Sequence, residues 1–263
     1  MDLQKLMQTG EGVEDLEKNL LNLDSEFRFK CRRCGKCCQH QDTIIFNTRD
    51  IFNIARELNM TMQGVVEAFT EVYIGNNSRI PIVHLLSDGP GESCPLLKDG
   101  RCSVHAHKPT VCALFPLGRV VINKKHDSPA LTPGTELEVR YILNDIGDNC
   151  GSAARVNTVR SWLARFGIPE NDAFFMLWNK VIIDLGDLVR MLESKEVSEY
   201  LLSTIETVIF NILYLQYDTG MELMPQFQAA ADKLLKLSAA TRGSYLLTEE
   251  TEEGVVDGDI RDN

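Results

Sequence analysis

The stretch KCRRCGKCCQH, residues 30–40, places four of the chain's eight cysteines within eight positions and surrounds them with basic residues. Disulfides, thiol redox chemistry and metal ligation can each explain such clustering. The chain has 263 residues and is 44% hydrophobic, enough for an apolar core that needs no cross-links. Its acidic N-terminus lacks the basic and apolar segments of a signal peptide. The sequence therefore predicts a cytoplasmic protein, in which thiols stay reduced.

Metal ligation explains the cysteine spacing best. A two-residue gap lets successive thiolates curl inward on a tight turn, and Gly35 supplies the backbone freedom that such a turn needs. A thioredoxin-like redox motif belongs after a strand, and we expect no strand before Phe29. Because the neighbouring side chains of Cys37 and Cys38 tend to diverge, the number of sites stays open. Eight thiols suit two four-cysteine sites, or one site with spare or redox thiols.

The identity of the metal is also open at this point. Four thiolates accept either tetrahedral zinc or an iron–sulfur cluster, the 4Fe–4S type included. The run Cys-x2-Cys-x2-Cys is typical of a cluster, but the three-residue gap and the Cys-Pro of the ferredoxin run are missing. His105 and His107 are either nitrogen ligands or surface residues. Nearby cations would lower thiol pKa values and favour thiolates, unless they are merely solvated; they are Arg28, Lys30, Arg32, Arg33 and Lys36.

Three stretches together resemble the YkgJ-type cysteine-cluster family of zinc- or iron-chelating domains. They are CRRCGKCC (31–38), CPLLKDGRCSVHAHKPTVCALFP (94–116) and NCG (149–151). The resemblance covers roughly residues 29–151. It implies metal ligation by the cysteines at the motif positions, with the last of them less closely matched: Cys31, Cys34, Cys37, Cys38, Cys94, Cys102, Cys112 and Cys150. The chain departs from the family's usual aromatic and arginine residues at His105 and Ala113.

The same resemblance also implies an enzymatic alternative. Some relatives are similar to flagellin lysine N-methylases, which implies iron–sulfur-linked methyl transfer in part of the family. This protein would then act in methyl or electron transfer, with S-adenosylmethionine as cofactor and a protein as substrate. A further alternative is a structural-zinc module that recruits a protein partner. The residues themselves predict no catalytic group, so whether the protein is an enzyme stays open.

The cysteines also divide the chain, because all eight lie between positions 31 and 150, whereas helical periodicity dominates from 153 onward. We predict an α+β, mostly helical fold, in which a cysteine-rich metal-binding module with short hairpins is followed by an α-helical region. The predicted divisions are a helical, acidic segment at 1–28, the cysteine-cluster module at 29–152, a helical region packed on it at 153–240, and an acidic disordered tail at 241–263.

Local signals place several of the cysteines on short elements. Helices are predicted from Asn47 or Thr48 and from Thr61, and a later one from Pro169. A Lys-Asp-Gly turn predicts a hairpin that brings Cys94 near Cys102. A single helical turn opened by Pro109 would carry Cys112, and RVVIN and ELEVRYIL supply two further strands.

Charge and hydropathy argue against nucleic-acid and membrane partners. Seven acids and one arginine in residues 248–263 hold six of the chain's eleven net negative charges, which leaves about −5 for the rest. A mildly acidic folded part is unfavourable for general nucleic-acid binding. The most apolar stretch, residues 200–217, is interrupted by Glu206 and Asn211 and falls short of a spanning helix. The predicted partners are therefore a metal ion or cluster and, under the alternatives, a protein.

Overall fold

A computed structural model describes residues 19–32, 35–39, 44–87, 93–125, 130–144 and 151–253, the last eight by backbone alone. Within them the strands are β1 (Glu26–Arg28), β2 (Ile45–Phe46), β3 (Thr70–Ile74), β4 (Pro81–Leu85), β5 (Leu97–Lys98), β6 (Arg101–Cys102), β7 (Leu117–Asn123), β8 (Leu137–Leu143) and β9 (Val156–Thr158). The α-helices are α1 (Thr48–Leu58), α2 (Met62–Phe69), α3 (Thr110–Leu114), α4 (Val159–Arg165), α5 (Ala173–Ser194), α6 (Glu199–Phe210) and α7 (Leu223–Glu253). The predicted fold class, α+β and mostly helical, is confirmed.

The first two helices begin at the residues that the sequence predicts. Asn47 caps α1 in a reciprocal capping box with Asp50, and Thr61 caps α2 by accepting a hydrogen bond from the Gly64 amide. These side-chain oxygens satisfy amides that have no partner inside the helix. A three-stranded antiparallel sheet in the order β2-β4-β3 packs beside the two helices.

The larger hydrophobic core draws on both halves of the chain. Phe46, Ile51 and Val83 from the first half pack with Phe174 and Leu213 from the second. Three cysteines lie partly buried against this core: Cys94, Cys102 and Cys112. The short elements that carry them therefore lie against a core to which the long helices α5, α6 and α7 contribute.

A smaller core lies under the β7–β8 hairpin. Trp162 is its largest side chain and makes edge contacts with Phe27 and Phe29, while its indole donates a 2.9 Å hydrogen bond to the Leu114 carbonyl. The predicted strands RVVIN and ELEVRYIL form this hairpin, as β7 and β8. One side of α3 thus faces the smaller core, since Leu114 belongs to it.

Strand β1 is a departure from the sequence prediction. We expected no strand before Phe29, yet Glu26–Arg28 pairs antiparallel with Val156–Thr158 of β9. Sequence periodicity misses it because the strand has three residues and its partner is 130 positions away in the chain. The N-terminal residues 1–18 lie outside the described part of the chain.

The helical half also differs from the prediction in detail. Helix α5 begins at Ala173, where Asp172 supplies the cap, and not near Pro169. Helix α6 continues into a π-helical turn at Asn211–Leu215. The last helix runs to Glu253, past the predicted boundary at 240. Among the described helices none combines the length and the apolarity that crossing a bilayer would need.

The contact between α5 and the β3–β4 loop yields a stability prediction. A Cβ at Gly186 would overlap the carbonyl oxygen of Ser78, so Gly186→Ala is expected to lower the free energy of unfolding by about 1–3 kcal/mol. Urea unfolding followed by circular dichroism measures this change. Gly243→Ala is the matched control, because a Cβ there meets no atom within 4 Å. It should be neutral or stabilise by up to about 1 kcal/mol; equal losses for both variants would contradict the proposed packing.

Candidate metal centre

Six of the eight predicted cysteine ligands lie in the described residues, and none of the six is in a disulfide. Cys31 and Cys37 are exposed, and the others are partly buried: Cys38, Cys94, Cys102 and Cys112. Cys34 and Cys150 lie outside the described residues. The disulfide explanation of the cysteines therefore has no support in the part of the chain that the structure describes.

A tight turn carries the adjacent pair Cys37 and Cys38. Gly35 has a left-handed backbone with φ of 71°, as the sequence predicts, and starts a 3₁₀ turn at Lys36–Cys38. The Cys38 amide donates a 2.9 Å hydrogen bond to the Gly35 carbonyl, and the Cys94 amide donates a 2.8 Å bond to the Cys38 carbonyl. Backbone pairing therefore holds the first cysteine cluster against the segment that contains Cys94.

The predicted hairpin between Cys94 and Cys102 is confirmed. Its two-residue loop, Asp99 and Gly100, has φ values of 51° and 71°, as the type I′ turn of a tight hairpin requires. The Cys102 position pairs with Leu97 in the register of β5 and β6. The hairpin thus reverses the direction of the chain, so that Cys102 lies beside Leu97 at the start of β5.

Both hairpin cysteines accept a backbone hydrogen bond on sulfur. The Leu96 amide donates to Cys94 and the Val104 amide donates to Cys102. The side chains of Leu96 and Val104 are buried in the larger core, with 2% and 0% exposure. Amide hydrogen bonds favour the thiolate form, which is the form that binds metals. The buried side chains of Leu96 and Val104 therefore hold their backbone amides in position to donate to the two sulfurs.

Cys112 reaches the same region from the single helical turn α3. This helix has Pro109 at its cap position and no side-chain cap hydrogen bond of its own. Its first amide, that of Thr110, donates instead to Asp50 Oδ1 of α1 at 2.8 Å, and the Thr110 hydroxyl donates to the same oxygen at 2.7 Å. The position of Cys112 thus depends on a carboxylate from a different helix.

The thiols influence one another electrostatically. A hydrogen bond between the Cys38 and Cys37 side chains raises the pKa of Cys38, and burial adds to this effect. Burial is the main cause of the raised pKa of each of the other three thiols, Cys94, Cys102 and Cys112. The charge of Cys37 raises the pKa of all four. Cys37 is therefore central to a group of five thiols.

Lys108 supplies a positive charge to this group, which the sequence analysis missed. Its ammonium lies 4.4 Å from the centre of the Phe166 ring and lowers the pKa of Cys102 and of Cys112. Its position four residues before Cys112 was the available signal. The predicted basic residues around the first cluster are exposed: Arg28, Lys30, Arg32 and Lys36. Arg33 lies outside the described residues.

Asp50 acts on the thiols in the opposite direction. It is the second cause, after burial, of the raised pKa of Cys112. Burial also raises the pKa of Asp50 itself, although the hydrogen bonds from Thr110 and Asn47 lower it. Burial and neighbouring groups thus favour the neutral form of these thiols, and a bound cation would favour the thiolate form instead.

The two candidate histidines lie on an exposed 3₁₀ turn at His105–His107. His107 Nδ1 is 2.8 Å from Glu57 Oε2, so this ring is engaged with a carboxylate of α1. Within the described residues no three Cys, His, Asp or Glu side chains stand close enough to share one metal ion. The five thiols therefore converge on one region without forming a closed ligand shell. Their chemistry fits zinc or an iron–sulfur cluster, since both are bound by thiolates.

Cys31 has a different structural neighbourhood from this group. The residue before it, Lys30, exchanges two backbone hydrogen bonds with Ser152, at 2.7 and 3.1 Å. Ser152 stands two positions after Cys150 in the sequence. The β1–β9 pairing thus brings the start of the first cysteine motif next to the end of the last one.

The fold and the thiols define a cysteine-rich ligand region built on a helical core. Residues 30–130 match the family CxxCxxCC, described as "Putative zinc- or iron-chelating domain". This match confirms the resemblance stated from the sequence, for this segment of the chain. The match covers well under half of the chain. The chain has no significant match among curated proteins or among solved structures.

Burial and charge predict unequal thiol reactivity in the metal-free protein. At pH 8 iodoacetamide should alkylate exposed Cys31 faster than Cys112, since burial shields Cys112 and its raised pKa lowers the thiolate fraction. Mass spectrometry of peptides from a time course gives both rates. In urea-unfolded protein the two rates should become similar, which serves as the control. A native Cys112 that reacts as fast as Cys31 would contradict the placement of α3.

Proposed function

We propose that this protein holds zinc or an iron–sulfur cluster through thiolates contributed by three segments of the chain. The principal ligand group comprises the converging thiols Cys37, Cys38, Cys94, Cys102 and Cys112. The observation that carries the proposal is the backbone geometry that brings the cysteine segments together: the Cys94 amide donates to the Cys38 carbonyl, and the β5–β6 hairpin returns Cys102 toward Cys94. Burial raises the pKa of Cys94 and of Cys102, and an amide hydrogen bond to each sulfur opposes that rise; the thiolate is the form that binds zinc and iron–sulfur clusters.

The remaining cysteines are proposed to serve a second centre. Cys31, Cys34 and Cys150 complete the eight candidate ligands of the sequence, and the group of five exceeds the four that one tetrahedral ion accepts. The backbone pairing of Lys30 with Ser152 supports this assignment. One thiol of the adjacent pair Cys37 and Cys38 would then be available to the second centre.

The proposed setting is the cytoplasm, where a thiolate site stays reduced. The absence of disulfides among the described cysteines is compatible with that setting. Nucleic acid is not among the proposed partners, because the chain carries a net charge of −11 and phosphate backbones repel an acidic surface. A protein partner remains part of the structural-zinc alternative.

The enzymatic alternative has less support than metal binding alone. A cleft of about 590 Å³ lies between the β7–β8 hairpin and the start of α5, and its lining includes Asp24, Arg160, Glu170 and Asp172. Two of its carboxylates are already paired with Arg160. Among the described residues that line this cleft there is no cysteine. Methyl or electron transfer with S-adenosylmethionine therefore stays a proposal that rests on resemblance.

Metal content tests the principal centre directly. The protein is purified without oxygen and without metal-affinity resins, and zinc, iron and acid-labile sulfide are measured per chain. Replacement of both hairpin thiols, Cys94→Ser and Cys102→Ser, should remove one centre's metal, because serine is a poor ligand for zinc or iron at neutral pH. Iron with matching sulfide identifies a cluster, and zinc alone identifies a zinc centre.

His107→Ala is the matched control for this experiment, because His107 lies on the same segment but pairs with Glu57. It should retain the full metal content of the wild type. If the double cysteine variant also keeps all its metal while folded, the proposed ligand group is wrong.

A further inference from the structure

Asp50 is a buried carboxylate that connects two helix starts. Its Oδ1 accepts both Thr110 hydrogen bonds, and its Oδ2 accepts the Asn47 amide at 3.2 Å. Asp50 is buried, with only 3% of its surface exposed. Both carboxylate oxygens therefore accept hydrogen bonds, Oδ2 at the cap of α1 and Oδ1 at the start of α3.

The start of α3 has little other support. The helix has five residues, and its cap position is Pro109, which offers no side-chain oxygen. The amide of the first residue in a helix has no partner within that helix, so it needs an acceptor from outside. Asp50 provides that acceptor, and Cys112 follows two residues after Thr110 on the same turn.

Helix α1, which carries Asp50, is held in place by contacts with the larger core. Its Thr48 hydroxyl donates to the Leu213 carbonyl in the π-helical turn, and its Ile51 and Ile54 are fully buried in the larger core. A second contact between the same segments joins Glu57 of α1 to His107. Two contacts thus join the segment 105–114 to α1. The Asp50 contact is nearer to Cys112 in the sequence than the Glu57 contact is.

We infer that Asp50 is a positioning residue for the metal centre, which presents the Cys112 thiol to the ligand group by holding the Thr110 amide and hydroxyl. This inference rests on the proposed function, since it assigns Cys112 as a ligand. Residues that orient metal ligands from outside the ligand shell commonly change metal affinity by roughly 10–100-fold when they are replaced. The carboxylate serves here because it offers two acceptor oxygens to three donors.

Substitutions at Asp50 can separate the effect of Cys112 position from the effect of the Asp50 negative charge. In Asp50→Asn the new side-chain oxygen can still accept the hydrogen bonds from Thr110. The new side-chain nitrogen would face the backbone amide of Asn47, and because both are donors that hydrogen bond is lost. Asp50→Ala removes every acceptor. We therefore expect Asp50→Ala to weaken zinc binding by about tenfold or more and Asp50→Asn to weaken it less. Thr110→Val, which removes only the hydroxyl, should give a smaller loss in the same direction.

The experiment titrates zinc and cobalt ions into the metal-free protein against a chromophoric chelator. Thiolate-to-cobalt charge-transfer absorption reports the number of bound thiolates. Loss of one thiolate from a four-thiolate centre should lower that centre's absorption at saturating cobalt by about a quarter in Asp50→Ala, or the total by about an eighth if both proposed centres bind cobalt. Ser198→Ala is the matched control, because Ser198 caps α6 by accepting a hydrogen bond from the Leu201 amide. It removes a helix cap without touching any cysteine and should leave both readouts unchanged.

The outcomes separate this inference from the proposed function. Wild-type protein that binds neither zinc nor cobalt, and that carries no iron with acid-labile sulfide when purified without oxygen, would refute the proposed function itself. Wild-type binding with an unchanged Asp50→Ala variant would overturn only the role of Asp50. Equal losses in Asp50→Asn and Asp50→Ala would assign the effect to charge and overturn positioning. An equal loss in Ser198→Ala would assign it to global stability, and if Asp50→Ala does not fold, Thr110→Val decides.

Discussion

Burial of Leu96 and Val104 in the larger core is the constraint on which the proposed metal centre depends. Each residue lies two positions after a cysteine, and its amide donates to that cysteine's sulfur. Because the side chains cannot leave the core without losing apolar contact, the amides stay directed at the sulfurs. The core thus determines the ligand chemistry, although no core residue is itself a ligand.

The same dependence explains how short elements form a stable site. The hairpin arms β5 and β6 have two residues each, and α3 has five, so none of them would be stable alone. Tertiary contacts replace the missing local stability: the Cys94 amide pairs with Cys38, and Thr110 pairs with Asp50. These contacts bring the thiols near enough for each to influence the pKa of others, and a bound metal ion would favour their thiolate forms.

Local signals predicted those parts of the fold that depend on neighbouring residues. The caps at Asn47 and Thr61, the left-handed Gly35 and the Asp99-Gly100 turn follow from backbone chemistry within a few positions. Strand β1 and the contact of Asp50 with Thr110 depend on residues far apart in the chain, and periodicity carries no signal for them. The sequence spacing of Lys108 and Cys112 was an available signal, but the effect of Lys108 on Cys102 arises only after the chain folds.

The division of the larger core between the two halves of the chain has an evolutionary consequence. The segment that matches the metal-chelating family contains all the described cysteines, but Phe174, Leu213 and other residues beyond its end supply much of the core behind them. Strand β7 lies inside the segment, whereas its partner β8 lies outside it. Transfer of this segment alone into another protein would leave apolar surface uncovered, so recombination could not readily exchange it as a module. The cysteine segment would therefore need the helical half, or a substitute for it, in order to bury its apolar face.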